Sequence, residues 1–180
     1  PHQLPPCVCL ATLPPPSLVG GGAPWSPHRG ESHSSRVRPE NWERELRKMK
    51  AGGLGLVASY LIWNIHEPVR GARRWDGECD FRRFVQLAGK VGLDVVARIG
   101  PWSHAEARFG GFPDWLQELP IGLRTDDPAY LEIVEDWYAD VARQLDGLVR
   151  DADHPDAPVV SFQVENELYD QPGHLATLRA

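Results

Sequence analysis

Apolar runs and amphipathic helical patterns alternate along this chain, and that alternation constrains its fold more than any other feature. "PENWERELRKMKAGG" (39–53) reads as a helix, "LGLVASYLIWN" (54–64) as a buried strand, "CDFRRFVQLAGKVG" (79–92) as a helix and "LDVVARIG" (93–100) as a second buried strand. A long loop, "PWSHAEARFGGFPDWLQELPIGLRT", leads into a long helix, and "PVVSFQVENE" (158–167) is a further strand. "ESHSSRV" (31–37) reads as a first, edge strand, and "HLATLRA" as the start of a last helix. Near-continuous apolar strands are covered on both faces, and strand–helix–strand order calls for parallel pairing through crossover helices.

The helices carry their own boundary signals. Trp42, Leu46 and Met49 recur at helical spacing, Pro39 suits a first helical position, Glu43 and Arg47 can pair across one turn, and Gly52 and Gly53 stop the helix. Phe81, Phe84, Val85, Ala88 and Val91 share a face that Gly92 ends. Asp127 is the expected N-cap of the long helix, with Pro128 just inside it. Its inner face reads as Leu131, Val134, Tyr138, Val141, Leu145 and Leu148.

Two architectures fit this order, a doubly wound sheet and a (β/α)8 barrel. No glycine-rich phosphate loop follows any strand, which weakens the nucleotide-binding version. Polar and aromatic residues gather at strand ends instead: Trp63-Asn64 and His66-Glu67, then Trp102, His104 and Glu106, then Glu165-Asn166-Glu167. Barrel enzymes place their chemistry at the C-terminal ends of strands, so the barrel is favoured. The reading is an α/β chain forming a partial (β/α)8 TIM barrel, about the first four strands with their crossover helices. A complete barrel takes about 250 residues and eight strands, against the 180 residues here.

Composition narrows the function. The net charge of −6 comes without a basic stripe for nucleic acid, and no apolar run is long enough for a membrane span. Cys7, Cys9 and Cys79 fit neither a zinc site nor a disulfide framework, and His104 has no second histidine at ligand spacing, so no metal is expected. Residues 1–29 are rich in proline and glycine and read as a disordered tail, ahead of a truncated catalytic half-barrel over 30–180. The tail lacks the basic start and unbroken apolar run of a signal peptide, which favours a cytoplasmic location. The absence of an initial methionine reads as a fragment or a processed chain.

The tip "FQVENELYD" (162–170) poses a chemical question. Buried carboxylates are costly unless paired or used. Side chains two apart on a strand point the same way, so Glu165 and Glu167 are expected to share a side. Glycoside hydrolysis needs two carboxylates flanking the scissile bond. Neighbours on one strand approach from one direction only, so at most one of the two is catalytic. The spacing leaves open which; Glu165 reads as a structural group only once the motifs given below are taken together. His66 and Glu67 read as a hydrogen-bonded corner with an arginine such as Arg98, His104 as a loop histidine bonded to backbone, Arg36 and Arg38 as solvated charge, and Trp42, Trp115 and Trp137 as packing residues. Nothing beside Cys79 argues for reactivity.

The runs "YLIWNIHEP", "RIGPWSHAEARFGGFPDWL" and "SFQVENELYD", in this order and spacing, resemble glycoside hydrolase family 35, the β-galactosidases, over roughly residues 30–173. The helix "PENWERELRKMKAGG" also resembles the family's first helix. The resemblance implies a (β/α)8 catalytic barrel that cleaves terminal β-galactosyl bonds with retention and needs no cofactor. It places the acid/base at Glu167 and galactose contacts at Tyr60, Ala105, Glu106 and Asn166. The family's nucleophilic glutamate lies near the seventh strand and has no counterpart here, so the isolated chain is expected to be inactive. Glu167 is expected to be buried, which keeps its proton on. Tyr60, Trp63 and Trp102 are expected to offer flat apolar surface to the sugar. The open edges of the first and fourth strands imply self-association. A related retaining glycosidase acting on another sugar, and a non-catalytic carbohydrate-binding remnant, are the alternatives.

Overall fold

The computed structural model describes residues 18–20, 23–25 and 27–179. Most of the stretch expected to form a disordered tail therefore lies outside the described residues. Within it, β1 (Leu18–Gly20) and β2 (Ala23–Trp25) pair antiparallel. The main sheet has four parallel strands in chain order: β3 (Arg29–Glu31), β4 (Leu56–Tyr60), β5 (Asp94–Gly100) and β6 (Val159–Val164). Helix α1 (Trp42–Ala51) joins β3 to β4; α2 (Trp63–His66) and α3 (Phe81–Lys90) lie between β4 and β5. Helices α4 (Asp114–Gln117) and α5 (Pro128–Leu145) precede β6, and α6 (Pro172–Thr177) follows it. This is the sheet order and helix cover of the first part of a (β/α)8 barrel. Among the described residues β3 and β6 are the outer strands of this sheet, and the outer edge of β6 is bridged at Val159 by Val149.

Two strand assignments shift, for local reasons. The first strand is Arg29–Glu31, and Ser34–Arg36 within the expected segment is a 3-10 turn. Side chains satisfy its backbone in place of a ladder: the Ser34 N–H donates to Ser59 Oγ at 3.1 Å, and the Trp42 indole donates to the Ser34 and Val37 carbonyls. The second strand ends at Tyr60, because Trp63 to His66 close a helical turn in which the Glu67 N–H reaches the Trp63 carbonyl at 2.8 Å.

The helix signals translate directly. Pro39 opens a 3-10 turn (Pro39–Asn41) that runs into α1, Arg47 pairs with Glu43 at 2.7 Å, and the chain leaves α1 at Gly53 with φ +87°. Asp80 caps α3 by accepting from the Arg83 N–H, and Asp127 caps α5 by accepting from the Ala129 N–H. The buried face of α5 is Tyr130, Val134, Trp137, Val141 and Leu145. Leu131, Tyr138 and Leu148, expected there, flank it instead. Trp137 sets the rotation: its ring stacks on Trp63 at 5.2 Å and on Trp75 at 5.7 Å in the core. A large flat side chain gains more from that burial than the smaller ones around it.

The sheet has two faces with different tasks. Val57, Leu61, Val95, Ala97, Ile99 and Val159 join the main core with the inner faces of α1, α3 and α5. On the other face Tyr60, Arg98 and Gln163 sit side by side in register across β4, β5 and β6. That polar row, at the C-terminal ends of three strands, is where the site lies.

Candidate active site

The tip of β6 is not a continuing strand. The ladder stops at Val164, the Glu165 N–H donates to the Gly100 carbonyl at 2.6 Å, and Glu165 (φ 57°) and Glu167 (φ 52°) both adopt left-handed backbone. Strand alternation therefore does not apply, and the two glutamates do not share a side. The Glu165 side chain is 1% exposed and the Glu167 side chain 58% exposed.

Glu165 is the paired carboxylate. Arg124 donates Nε and Nη2 to its Oε2 at 3.0 and 2.7 Å, and Nη2 also to the Asn166 carbonyl at 2.8 Å. Burial pushes the Glu165 carboxyl up and outweighs the opposing pull of Arg124. Glu165 as a structural group agrees with this geometry.

Asn166 is held at both ends of its amide. Its Oδ1 accepts from Arg98 Nη2 at 3.0 Å and Gln163 Nε2 at 3.1 Å. Its Nδ2 lies 3.1 Å from His104 Nδ1, which must then accept, leaving the imidazole proton on Nε2. The partner of His104 is thus a side chain, where a backbone bond was expected. The same His104 Nδ1 lies 3.6 Å from Glu167 Oε2. Arg98 is the hub beneath: its guanidinium covers the Tyr60 ring at 3.6 Å and donates to Glu31 at 2.6 Å. Burial pushes the Tyr60 hydroxyl up to about 12.

The preceding loop supplies the other wall. His104, Ala105 and Glu106 are consecutive left-handed residues, a backbone costing roughly 1–2 kcal/mol per residue. Strain of this kind clusters at ligand sites. Ala105 is buried beside Tyr60 and Ile62, while the Glu106 carboxylate is exposed, 3.8 Å from Arg36. Arg36 also donates to the Ala105 carbonyl, so it is tied to this loop and is not free solvated charge. His33 accepts the Tyr60 N–H on Nδ1 and packs its ring 5.1 Å from the Tyr60 ring.

Tyr60, His104, Asn166 and Glu167 are thus brought together, and Glu106 borders them through Arg36 and Ala105. Trp63 is not with them. It is fully buried in the aromatic stack, its indole donating to Glu67, and offers no surface to a ligand. Trp102 stays half-buried, edge-on to His104 at 5.1 Å. The corner at His66 and Glu67 exists, but its arginine is Arg73, which donates to Glu67 at 2.8 Å. The sequence did not mark Glu31, His33, Gln163 or Arg124 as part of this constellation. Arg98 had a visible signal, a lone charge inside the apolar run "VVARIG". Among the described residues no group of three or more His, Cys, Asp or Glu could hold a metal, and no helix is long and apolar enough to cross a membrane.

Parallel strands in chain order with crossover helices, and a polar row at their C-terminal ends, define the class of (β/α)8-barrel folds. Comparison with solved structures agrees on the fold: an exo-β-1,4-mannosidase from Opitutaceae bacterium strain TAV5 superposes with a TM-score of 0.65 at 17% identity, covering 89% of this chain and 28% of that one. Residues 17–177 match the sequence profile of glycosyl hydrolases family 35, and the chain belongs to that family. A mouse β-galactosidase-1-like protein is 40% identical over 147 residues, 81% of this chain and 22% of the relative. Human β-galactosidase is 38% identical over 152 residues, 84% of this chain and 22% of the relative. The chain thus spans about a fifth of the length of these relatives.

Proposed function

We propose that this chain supplies the acid/base half of a retaining β-galactosidase site. Glu167 is the proton donor to the leaving oxygen and then the base toward water. The second Nδ2 hydrogen of Asn166 donates to the sugar 2-hydroxyl, an interaction that strengthens in the transition state. Glu106 accepts from galactose hydroxyls, Ala105 and Tyr60 shape the pocket, and Trp102 presents a flat face. The nucleophilic carboxylate, roughly 5–5.5 Å from the acid/base in a retaining site, is assigned to none of these residues. The observation that carries the reading is the bonded chain Tyr60–Arg98–Asn166–His104 ending beside Glu167, in a member of family 35.

One observation favours recognition without turnover in this chain by itself. The Glu167 side chain is 58% exposed and that of Glu106 93% exposed, so neither carboxylate is shut off from water as a closed site for turnover would be. The test pairs two measurements on the chain. Titration with galactose changes the tryptophan fluorescence, and Asn166→Ala abolishes the change; equal responses to galactose and mannitol would sink the site. An aryl β-galactoside is not turned over, and turnover that vanishes in Glu167→Gln would overturn the need for a carboxylate from elsewhere.

A further inference from the structure

Apart from Tyr60 on β4, the site residues come from two separate pieces of chain, the loop after β5 and the tip of β6, and each contains strained left-handed backbone. What holds them against relaxation is not a strand ladder, because β6 has ended at Val164. One side chain touches both pieces. Arg124, at the far end of the loop, makes three hydrogen bonds to the tip: two to Glu165 Oε2 and one to the Asn166 carbonyl. Its guanidinium lies over Trp102 at 4.7 Å, on the near end of the same loop. Trp102 in turn abuts His104, whose Nδ1 faces the Asn166 amide.

We propose that Arg124, through the buried Glu165 carboxylate, is the positioning residue that fixes the Asn166–Glu167 tip against the His104–Glu106 loop. This rests on the reading of that tip as the sugar-binding and proton-donating element. The chemistry requires an arginine. A single planar group must serve one carboxylate oxygen with two N–H bonds, reach a carbonyl in the same plane, and stack on an indole. A lysine can keep the charge but not the fork or the stack. The pair also explains why a carboxylate is buried two residues before the candidate acid. Its two donors replace the water lost by Oε2, while Oε1 is buried without a partner among the described residues, and the ion pair ties the tip to the start of α5, which follows Arg124 within a few residues.

The exchange of backbone amides tests this on the 180-residue chain without relying on sugar chemistry. Hydrogen exchange is followed by mass spectrometry for Arg124→Lys and for the isosteric Glu165→Gln. Peptides cover the tip (162–168), the loop (102–106) and α3 as a control. Both substitutions are expected to speed exchange at tip and loop at least about tenfold while α3 stays unchanged. Unchanged exchange at the tip, or acceleration as large in α3, would overturn the assignment; the latter would make the pair a general support of the fold. Galactose titration of the same variants separates the two readings. An unsubstituted chain that ignores galactose counts against the proposed function and leaves the exchange result standing. An accelerated tip with at least tenfold weaker galactose binding supports both.

Discussion

Removing the Glu67 carboxylate should destabilise the chain by about 3 kcal/mol, the low end of the range for breaking a buried ion pair. Glu67 is 2% exposed, and it accepts three donors: the Trp63 indole at 2.8 Å, the Gly71 N–H at 2.7 Å and Arg73 Nε at 2.8 Å. Three charge-assisted bonds would sum to more, but the buried carboxylate has already lost its hydration, which offsets part of their strength. Arg73 is not orphaned by the change, since it keeps Asp136 at 2.7 Å and Asp140 at 3.2 Å. The remaining cost of Glu67→Ala is the Trp63 N–H, buried in the aromatic stack without a partner, at about 1–3 kcal/mol, plus the lost attraction to Arg73. Glu67→Gln should cost less, about 1–2 kcal/mol: its oxygen can still serve Trp63 and Arg73, and only its amide faces the Gly71 N–H. Urea denaturation followed by tryptophan fluorescence reads both, with galactose titration of the folded variants alongside. The reasoning fails if Glu67→Ala lies within about 0.5 kcal/mol of the parent, the range of ordinary surface changes, or if Gln costs more than Ala. It also fails if galactose binding collapses while stability does not, because Glu67 would then belong to the site.

Burial holds the His66 imidazole down at about 4, against 6.5 for the free group. The unfolded chain therefore takes up this proton first. The stabilising contribution is complete above pH 6.5 and is lost as pH falls toward 4, by roughly 3 kcal/mol. His66→Asn should flatten that part of the stability–pH curve, and an identical curve would refute the assignment. At Gly110 (φ +60°) an added Cβ would meet Trp102 Cζ2 at 2.3 Å. Gly110→Ala should cost about 2–4 kcal/mol from strain and overpacking, with a shifted Trp102 emission; a neutral result in urea unfolding would show that the indole moves freely. Asp127→Ala removes the α5 cap and the acceptor of the Gly122 N–H, and should cost about 1–2 kcal/mol by the same assay.

How much of this was legible in the sequence depends on whether a signal is periodic. The elements of the sheet and its helices were, because burial imposes a helical period on the helices and a near-continuous apolar run on the central strands, and capping residues such as Asp127 mark an end by a local bond. Strand ends were less so. "ESHSSRV" reads as an edge strand without a periodic signal to support it, and the backbone bonds there are taken by Ser59 and the Trp42 indole, contacts 25 and 8 residues away. Tyr60, Asn166 and Glu167 were legible only through motif resemblance. Their geometry was not, since nothing in "VENEL" announces left-handed backbone at two glutamates where glycine or asparagine is the usual choice. Arg124 gave no sign at all, because a loop residue has no period and its partner lies 41 residues on.

The same logic explains which carboxylate ends up where. Glu165 and Glu167 are chemically identical and adjacent but one, and in a regular strand burial would treat them alike. Left-handed backbone at each breaks that equivalence and turns one inward and one outward. Once inward, Glu165 must be neutralised, and the nearest available cation is on the loop that carries His104 to Glu106. The anchor and the candidate acid are therefore products of a single backbone feature. A chain that relaxed its tip to extended strand would lose the buried ion pair and the outward carboxylate together. Separating them, by a substitution that releases Glu165 but leaves Glu167 in place, would show that the tip's conformation is set by something other than Arg124.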